Sequence, residues 1–152
     1  MAINLNVKMG DYKICEGKKV LKSLGIGSCI AVCLYDKDNE LGGLGHVMLP
    51  SNMDKGSLKY ANNLIKCMVE DFKERKCDMD EIVAKIFGGA SLFESSIEIG
   101  KKNIISVRKE LDKYGIDIVE EDVGGDRGRS IWFHCWSGTV VVSMPMGETK
   151  RY

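Results

Sequence analysis

Two apolar segments separated by a short run of turn-forming residues constrain the fold of this chain most strongly. Ile30 to Tyr35 is apolar, Asp36-Lys37-Asp38-Asn39 supplies turn residues, and Leu41 to Leu49 is again mainly apolar. Short apolar runs bounded by turn residues are typical of β-strands, so this pattern predicts a β-hairpin. The chain is therefore expected to contain antiparallel sheet.

Short strand patterns recur along the rest of the chain. Near the N-terminus, Ile3, Leu5, Val7 and Met9 alternate with polar residues, which is the period of a half-buried strand. Gly25-Ile26-Gly27-Ser28-Cys29 is too rich in glycine for a strand interior and predicts a loop. The other predicted strands are Tyr12 to Cys15, Val20 to Leu24, Ile82 to Phe87, Ile116 to Glu121, Ser130 to Trp136 and Thr139 to Met144.

Two segments have the period of an amphipathic helix. Apolar residues from Leu58 to Phe72 recur every three or four positions, which places them on one helical face. A second helix is predicted from Lys101 to Tyr114, with Gly115 as its C-terminal cap. Strands and helices do not alternate regularly, so we expect an α+β fold in which two main helices pack on one side of layered, mixed sheets. At 152 residues, a single domain spanning residues 1–152 is the natural expectation.

Composition excludes several classes of protein. Twenty-two basic residues balance twenty-two acidic ones, which argues against non-specific nucleic-acid binding. No secretory signal and no apolar stretch of the ~20 residues that a membrane helix needs are visible, so a cytoplasmic protein without membrane insertion is expected. Its six cysteines should then be thiols. With no Cys-x-x-Cys pair and two histidines, a structural zinc site is not expected.

Cys29 is the candidate nucleophile. It follows the glycine-rich loop, where backbone can approach a substrate closely and where exposed N–H groups, such as those near Gly27 and Ser28, could bind an oxyanion. A reactive thiol needs a lowered pKa, access to solvent and a nearby base. On local sequence alone, a buried cysteine at the start of an apolar strand is the favoured interpretation.

His46 is the candidate base. If the hairpin turns at Asp38-Asn39, residues 29 and 46 pair near its open end, with a mismatch of two residues that a bulge or longer loop could absorb. Cross-strand neighbours have Cβ atoms about 5 Å apart, which permits a thiol–imidazole contact. A hydrogen-bonded structural histidine is the alternative interpretation of His46. His134 is a rival base, but it faces away from the adjacent Cys135 and is taken as structural or peripheral.

Other motifs do not support a different chemistry. No Gly-x-Ser-x-Gly elbow is present for a serine nucleophile. Gly88-Gly89 and the segment Gly124 to Arg129 are rich in glycine but lack the Gly-Lys-Ser/Thr ending of a phosphate loop. On sequence alone, each is interpreted as a tight turn.

Several segments together resemble a known family. Ser23-Leu24-Gly25-Ile26-Gly27-Ser28-Cys29-Ile30-Ala31-Val32-Cys33-Leu34-Tyr35-Asp36 resembles the segment around the catalytic cysteine of the chemoreceptor glutamine deamidases, the CheD family. Gly45-His46-Val47-Met48-Leu49-Pro50 resembles the segment that carries the family's histidine. Three further blocks follow in family order: Lys85 to Ala90, Ile99 to Asn103 and Asp122 to Arg129. The resemblance as a whole covers roughly residues 10–145.

The resemblance implies a layered sandwich shared with certain bacterial toxin deamidases, and hydrolysis of glutamine side chains on the cytoplasmic helical region of chemotaxis receptors. By resemblance, Cys29 attacks the amide, His46 transfers the protons, and no metal or organic cofactor is needed. The family's third residue is usually a threonine that orients the histidine, and Ser23 stands in its place. Gly27, Ser28, Gly88 and Gly89 are candidate oxyanion or substrate contacts. A CheC-type phosphatase is a further partner that the resemblance implies.

Two alternatives remain open at this stage. The chain could be a regulatory module that docks on the receptor or the phosphatase with little catalysis, using the glycines of Gly88-Gly89 and Gly124-Gly125 to shape a surface. Preferential alkylation of Cys29 would argue against that alternative. Transglutamination through the same thioester, with an amine in place of water, is the other.

Overall fold

The computed structural model describes residues 2–94 and 97–152, which form ten strands and two α-helices. The strands are β1 (Ile3–Asn6), β2 (Tyr12–Glu16), β3 (Lys19–Ile26), β4 (Ile30–Asp36), β5 (Leu41–Val47), β6 (Ile82–Gly88), β7 (Asp117–Val123), β8 (Arg129–His134), β9 (Val140–Ser143) and β10 (Thr149–Arg151). The helices are α1 (Ala61–Glu74) and α2 (Ile97–Lys113).

The strands make two five-stranded mixed sheets. The first has the order β1-β3-β8-β9-β10 and the second the order β2-β5-β4-β6-β7. The predicted hairpin of β4 and β5 lies inside the second sheet, and every residue of both strands is buried. A strand that is covered on both faces must be apolar throughout, which explains the unbroken apolar run of β4.

Alternate residues of β4 enter two different cores. Ile30, Val32 and Leu34 pack with α1 and α2 on the outer face of the second sheet. Ala31 and Cys33 point the other way, into a core between the two sheets. The molecule therefore has three layers, in the order sheet, sheet, helices, and the prediction of an α+β layered sandwich with two helices on one side is confirmed.

Glycine in β5 allows α1 to approach the sheet closely. A Cβ atom added at Gly45 would come within 2.7 Å of Met68 Sδ and would also collide with Leu64. Because both of those residues are fully buried in α1, any side chain at Gly45 would force their side chains out of the positions they occupy against the strand that carries His46.

The observed elements differ from the predicted ones at several edges. The first strand ends at Asn6 rather than Met9, and β3 continues through Gly25 to Ile26, with a register irregularity after Ser23. The helix α2 begins four positions before the predicted start at Lys101. The short strand β10 was not predicted; its pairing with β9 depends on contacts that have no local sequence signal.

The expectation of six thiols is wrong, because Cys15 and Cys135 form a disulfide. Cys15 lies on β2 of the second sheet and Cys135 directly follows β8 of the first, and both are buried in the core between the sheets. The disulfide depends on the packing of the two sheets against each other, and the number of cysteines in the sequence does not predict which residues this packing brings together. In the part of the chain that the structure describes, no helix is long and apolar enough to cross a membrane.

Candidate active site

Cys29 lies in a bend that joins β3 to β4. Its carbonyl accepts a hydrogen bond from the Gly89 N–H at 2.8 Å, and the Gly27 carbonyl accepts one from the Ala90 N–H at 2.9 Å. The Cys29 side chain is half-buried at the edge of the core between the sheets. The bend is thus tied by its backbone to the turn that follows β6, while the thiol keeps access to the surface.

The glycines of that turn fit closely against Cys29. Gly88 has a φ of 117°, and a Cβ atom there would collide with the Cys29 carbonyl oxygen. The Gly88 carbonyl accepts hydrogen bonds from the Gly124 N–H at 2.8 Å and from the buried Arg129 at 2.9 Å. Since the Gly89 N–H already donates to Cys29, that group is not free to bind an oxyanion. Gly88 and Gly89 therefore support the bend that carries the thiol.

His46 lies near the end of β5 and is only 3% exposed. Its N–H donates to the Asp11 carbonyl at 3.0 Å, and its carbonyl accepts from the Gly10 N–H at 2.9 Å. The backbone of His46 is consequently held by the loop before β2 as well as by β4. Within the described residues, neither of its ring nitrogens has a hydrogen-bond partner.

The register of the hairpin places Cys29 and His46 diagonally. Ile30 pairs with Val47 and Ala31 with His46, so the turn is centred at the predicted Asp38-Asn39. The prediction that residue 29 pairs directly with residue 46 is wrong. The β4–β5 ladder is continuous, and it lacks the bulge that the mismatch of two residues would need. Residues two apart share a face, and diagonal neighbours in a sheet are about 7–8 Å apart. Cys29 and His46 therefore belong to the same face, but they are not direct cross-strand partners.

Ser23 is connected to His46 through the backbone. Its hydroxyl is fully buried and donates a hydrogen bond of 2.7 Å to the Val7 carbonyl. That carbonyl also lies near the imidazole of His46, where it favours the protonated ring and so opposes the lowering of the His46 pKa by burial. Ser23 thus fixes a carbonyl beside the ring, and no hydrogen bond joins its hydroxyl to the ring nitrogens.

Burial determines the charge state of the pair. It lowers the pKa of His46 below its ordinary 6.5, and it raises the pKa of the Cys29 thiol, an effect that the N–H of Cys29 itself partly opposes. The expectation of a lowered thiol pKa is therefore wrong for the resting protein. At neutral pH the pair is a thiol and a neutral imidazole, and the imidazole is in the state that can accept a proton.

Sequence reasoning missed two groups at this site: the Val7 carbonyl and the side chain of Asn103. Asn103 is fully buried on α2 and donates to backbone on both sides of the site. The sequence does contain a signal that could have identified Asn103 as a buried residue. Gly100, Asn103 and Val107 follow the three- and four-residue spacing of a buried helical face. An asparagine on that face is unusual, whereas the Val7 carbonyl has no local signal at all.

The remaining candidates lie elsewhere. His134 is on β8, stacks on Trp136 with ring centroids 4.9 Å apart, and faces away from the buried Cys135. A groove between the two helices is lined by Asn62, Cys67 and Tyr114 among others, and includes neither Cys29 nor His46. Across residues 2–94 and 97–152, no cluster of three or more histidine, cysteine or acidic side chains is placed to bind a metal ion.

Comparison with known proteins gives one consistent family. A family model described as CheD chemotactic sensory transduction matches residues 48–144. A probable chemoreceptor glutamine deamidase CheD of Archaeoglobus fulgidus is 40% identical over 153 residues, which cover 97% of this chain and 97% of the relative. The chemoreceptor glutamine deamidase CheD of Thermotoga maritima is 38% identical over 139 residues, which cover 90% of this chain and 88% of the relative. The model match begins after His46, but the similarity to the Archaeoglobus protein extends over nearly the whole chain.

Proposed function

Because the chain belongs to the CheD family of chemotactic sensory transduction proteins, we propose that it deamidates glutamine side chains of chemotaxis receptors to glutamate. The observation that carries the proposal is the placement of a partly buried cysteine, Cys29, on the same face of the β4–β5 hairpin as a buried, neutral imidazole, His46. A thiol that shares a sheet face with a neutral imidazole supplies the nucleophile and the base that catalysis of amide hydrolysis requires.

In the acylation half, His46 takes the proton of Cys29 as Sγ forms a bond with the carboxamide carbon of the glutamine. The resulting oxyanion collapses, the carbon–nitrogen bond breaks, and the proton on His46 goes to the departing ammonia. The product is a thioester between Cys29 and the substrate side chain. Since the resting thiol is uncharged, proton transfer has to accompany the attack, and the neutral state of His46 makes that transfer available.

In the deacylation half, His46 removes a proton from a water molecule, which attacks the thioester carbon. The carbon–sulfur bond breaks, and the Cys29 sulfur recovers its proton from His46. Glutamate and the free enzyme result, and no metal or organic cofactor takes part. An amine in place of water would give transglutamination, and the mass of the product distinguishes the two reactions.

The loop before Cys29 is the proposed source of the oxyanion donors. The N–H groups of Gly27, Ser28 and Cys29 donate no backbone hydrogen bond among the described residues, whereas the Gly89 N–H is engaged. N–H groups next to the nucleophile that have no backbone acceptor in the described part of the chain are suited to stabilise a developing negative charge. We therefore assign this role to the Gly27–Cys29 bend, and a supporting role to Gly88 and Gly89.

Ser23 is proposed to position the base. Its hydrogen bond fixes the Val7 carbonyl, and this carbonyl favours the imidazolium that forms during the reaction. A serine can supply this donor as a threonine would, but without the methyl group that restricts the rotamer.

The partners follow from the same family relationship. We propose that the substrate is the cytoplasmic helical region of chemotaxis receptors; the names of the relatives support a chemoreceptor as the substrate. Binding of a CheC-type phosphatase is a further proposal. A purely regulatory module that docks without catalysis has no use for the thiol–imidazole arrangement, so the geometry favours the enzyme.

The test is release of ammonia from a receptor cytoplasmic fragment. The wild-type chain should release ammonia, and Cys29→Ala and His46→Ala should each abolish the release. Cys77→Ala is a matched control, since Cys77 is a free thiol of similar exposure on the helical side of the second sheet. Full activity in Cys29→Ala would refute the proposed mechanism, and inactive wild-type protein would favour the docking module.

A further inference from the structure

A buried amide connects the two halves of the proposed site. Asn103 on α2 is fully buried, and its Nδ2 donates to the Ser28 carbonyl at 2.8 Å and to the Met48 carbonyl at 3.0 Å. Ser28 directly precedes the proposed nucleophile, and Met48 follows the proposed base by two residues. One side chain therefore fixes the chain on both sides of the thiol–imidazole pair.

The bridge is made where the strands separate. The last pair of the β4–β5 ladder is Ile30 with Val47, and beyond it the Cys29 bend and the Met48 segment have no mutual ladder bonds. At this point the amide of Asn103 lies between the two segments and donates a hydrogen bond to each of them. It consequently takes the place of the ladder bonds that would otherwise fix the distance between the two segments.

The hydrogen bond to Ser28 also orients a donor. The Ser28–Cys29 peptide unit is planar and trans, so its C=O and N–H point in opposite directions. When Asn103 holds the carbonyl oxygen toward α2, the Cys29 N–H must point away from α2. This N–H interacts with the Cys29 sulfur and favours its thiolate form, which partly opposes the rise in the thiol pKa that burial causes. A bond to the carbonyl oxygen further polarises the N–H of the same peptide unit.

Close packing brings the helix to this position. A Cβ atom at Gly100 would lie only 2.7 Å from the Gly89 carbonyl oxygen, so α2 rests directly against the turn that supports Cys29. Residues three apart lie on the same helical face, which places Asn103 one turn further along, beside Ser28.

Packing alone does not account for the asparagine. Its Oδ1 is buried and has no hydrogen-bond partner among the described residues, and an unsatisfied buried acceptor is destabilising. Leucine has a similar volume and would avoid this cost. The contribution of the amide must therefore come from the two carbonyls that its Nδ2 fixes.

We propose that Asn103 is a positioning residue that sets the separation of Cys29 and His46 and aims the Cys29 N–H at the site of the developing oxyanion. The proposal rests on the function proposed above. It assigns Asn103 no contact with substrate, and it places the effect on the rate of chemistry rather than on substrate binding.

The experiment compares Asn103→Leu with Asn63→Leu in the full chain. Asn63 is a matched control. It lies in the first turn of α1, and its Nδ2 also donates to two carbonyls, those of Asp54 at 2.6 Å and Ser57 at 3.0 Å. With a receptor fragment as substrate, Asn103→Leu should lower kcat about 10- to 100-fold at nearly constant KM, since small displacements of reacting groups have effects of this size. Asn63→Leu should leave both parameters unchanged.

A second readout does not need the receptor. Alkylation of Cys29 by iodoacetamide, followed by peptide mass spectrometry, should shift to higher pH in Asn103→Leu because the thiolate loses an oriented donor. If that variant does not fold, Asn103→Ser decides by the same shift, because the shorter serine side chain has a single hydroxyl hydrogen and cannot donate to both carbonyls. A folded Asn103 variant with the wild-type kcat and alkylation profile would overturn the proposal. If wild-type Cys29 is alkylated but no ammonia is released, the deamidase function fails, and the shift in alkylation still tests Asn103.

Discussion

The hydroxyl of Ser23 donates to the carbonyl of Val7, 2.7 Å away, and this contact fixes the carbonyl that lies beside the proposed base, His46. Val7 directly follows β1, and Ser23 lies in the middle of β3. The carbonyl is held in place on one side of the His46 ring, where it favours the protonated imidazole. The contribution of Ser23 is therefore indirect, and it should affect both folding and rate.

Ser23→Ala should destabilise the protein by about 1–3 kcal/mol, because the buried Val7 carbonyl loses its donor. The rate of ammonia release should fall by about 10-fold, since an imidazolium that forms during the reaction is less well stabilised. Denaturant unfolding and steady-state kinetics measure the two effects. Ser106→Ala is the control, because it removes a hydroxyl of α2 that accepts a bond from the Ser51 N–H on the surface. Equal kinetics in the two variants would contradict this role of Ser23.

The sequence predicted the central hairpin and its turn because an apolar strand buried on both faces has a strong local signature. It did not predict the relation between Cys29 and His46, since a shift of two residues keeps the same face and leaves the pattern unchanged. The contacts of Ser23 and Asn103 could not be predicted from the sequence for another reason. Each donates to a backbone carbonyl of a remote segment, and every residue type supplies the same carbonyl.

The glycine turn after β6 was predicted as a turn, but its contact with the nucleophile was not. The effect of Gly88→Ala should therefore be larger than the effect of an unfavourable backbone conformation alone. A residue with φ near 117° strains any L side chain, and here the added Cβ would also collide with the Cys29 carbonyl. We expect the variant to lose several-fold in activity and more stability than the about 1–2 kcal/mol typical of an unfavourable φ alone.

Gly17→Ala is the matched control for that experiment. Gly17 also has a positive φ, 77°, but nothing lies within 4 Å of the position of its Cβ. Both variants are compared by thermal unfolding and by ammonia release. If Gly88→Ala is no more damaging than Gly17→Ala, the turn does not support Cys29 in the way described here.

The buried His46 should make stability depend on pH. Its pKa is lower in the folded protein than the ordinary 6.5, because burial disfavours the charged ring. Between these two values the unfolded chain binds more protons, so the free energy of unfolding should fall as the pH drops below about 6.5. His46→Gln should flatten this part of the profile in denaturant titrations.

His134→Gln is the comparison for the pH experiment. Burial and the nearby Arg151 also lower the pKa of His134, but that ring is more exposed than His46. Its replacement should therefore flatten the profile less than His46→Gln does. Identical profiles for wild type and His46→Gln would show that His46 is not held neutral by burial.

Mass spectrometry of a chemoreceptor cytoplasmic fragment, before and after incubation with the chain, tests the central claim most directly. The wild-type chain should convert specific glutamines of the fragment to glutamates, and Cys29→Ala should leave every glutamine intact. Conversion by Cys29→Ala at the wild-type rate, or no conversion by folded wild-type protein, would contradict the account.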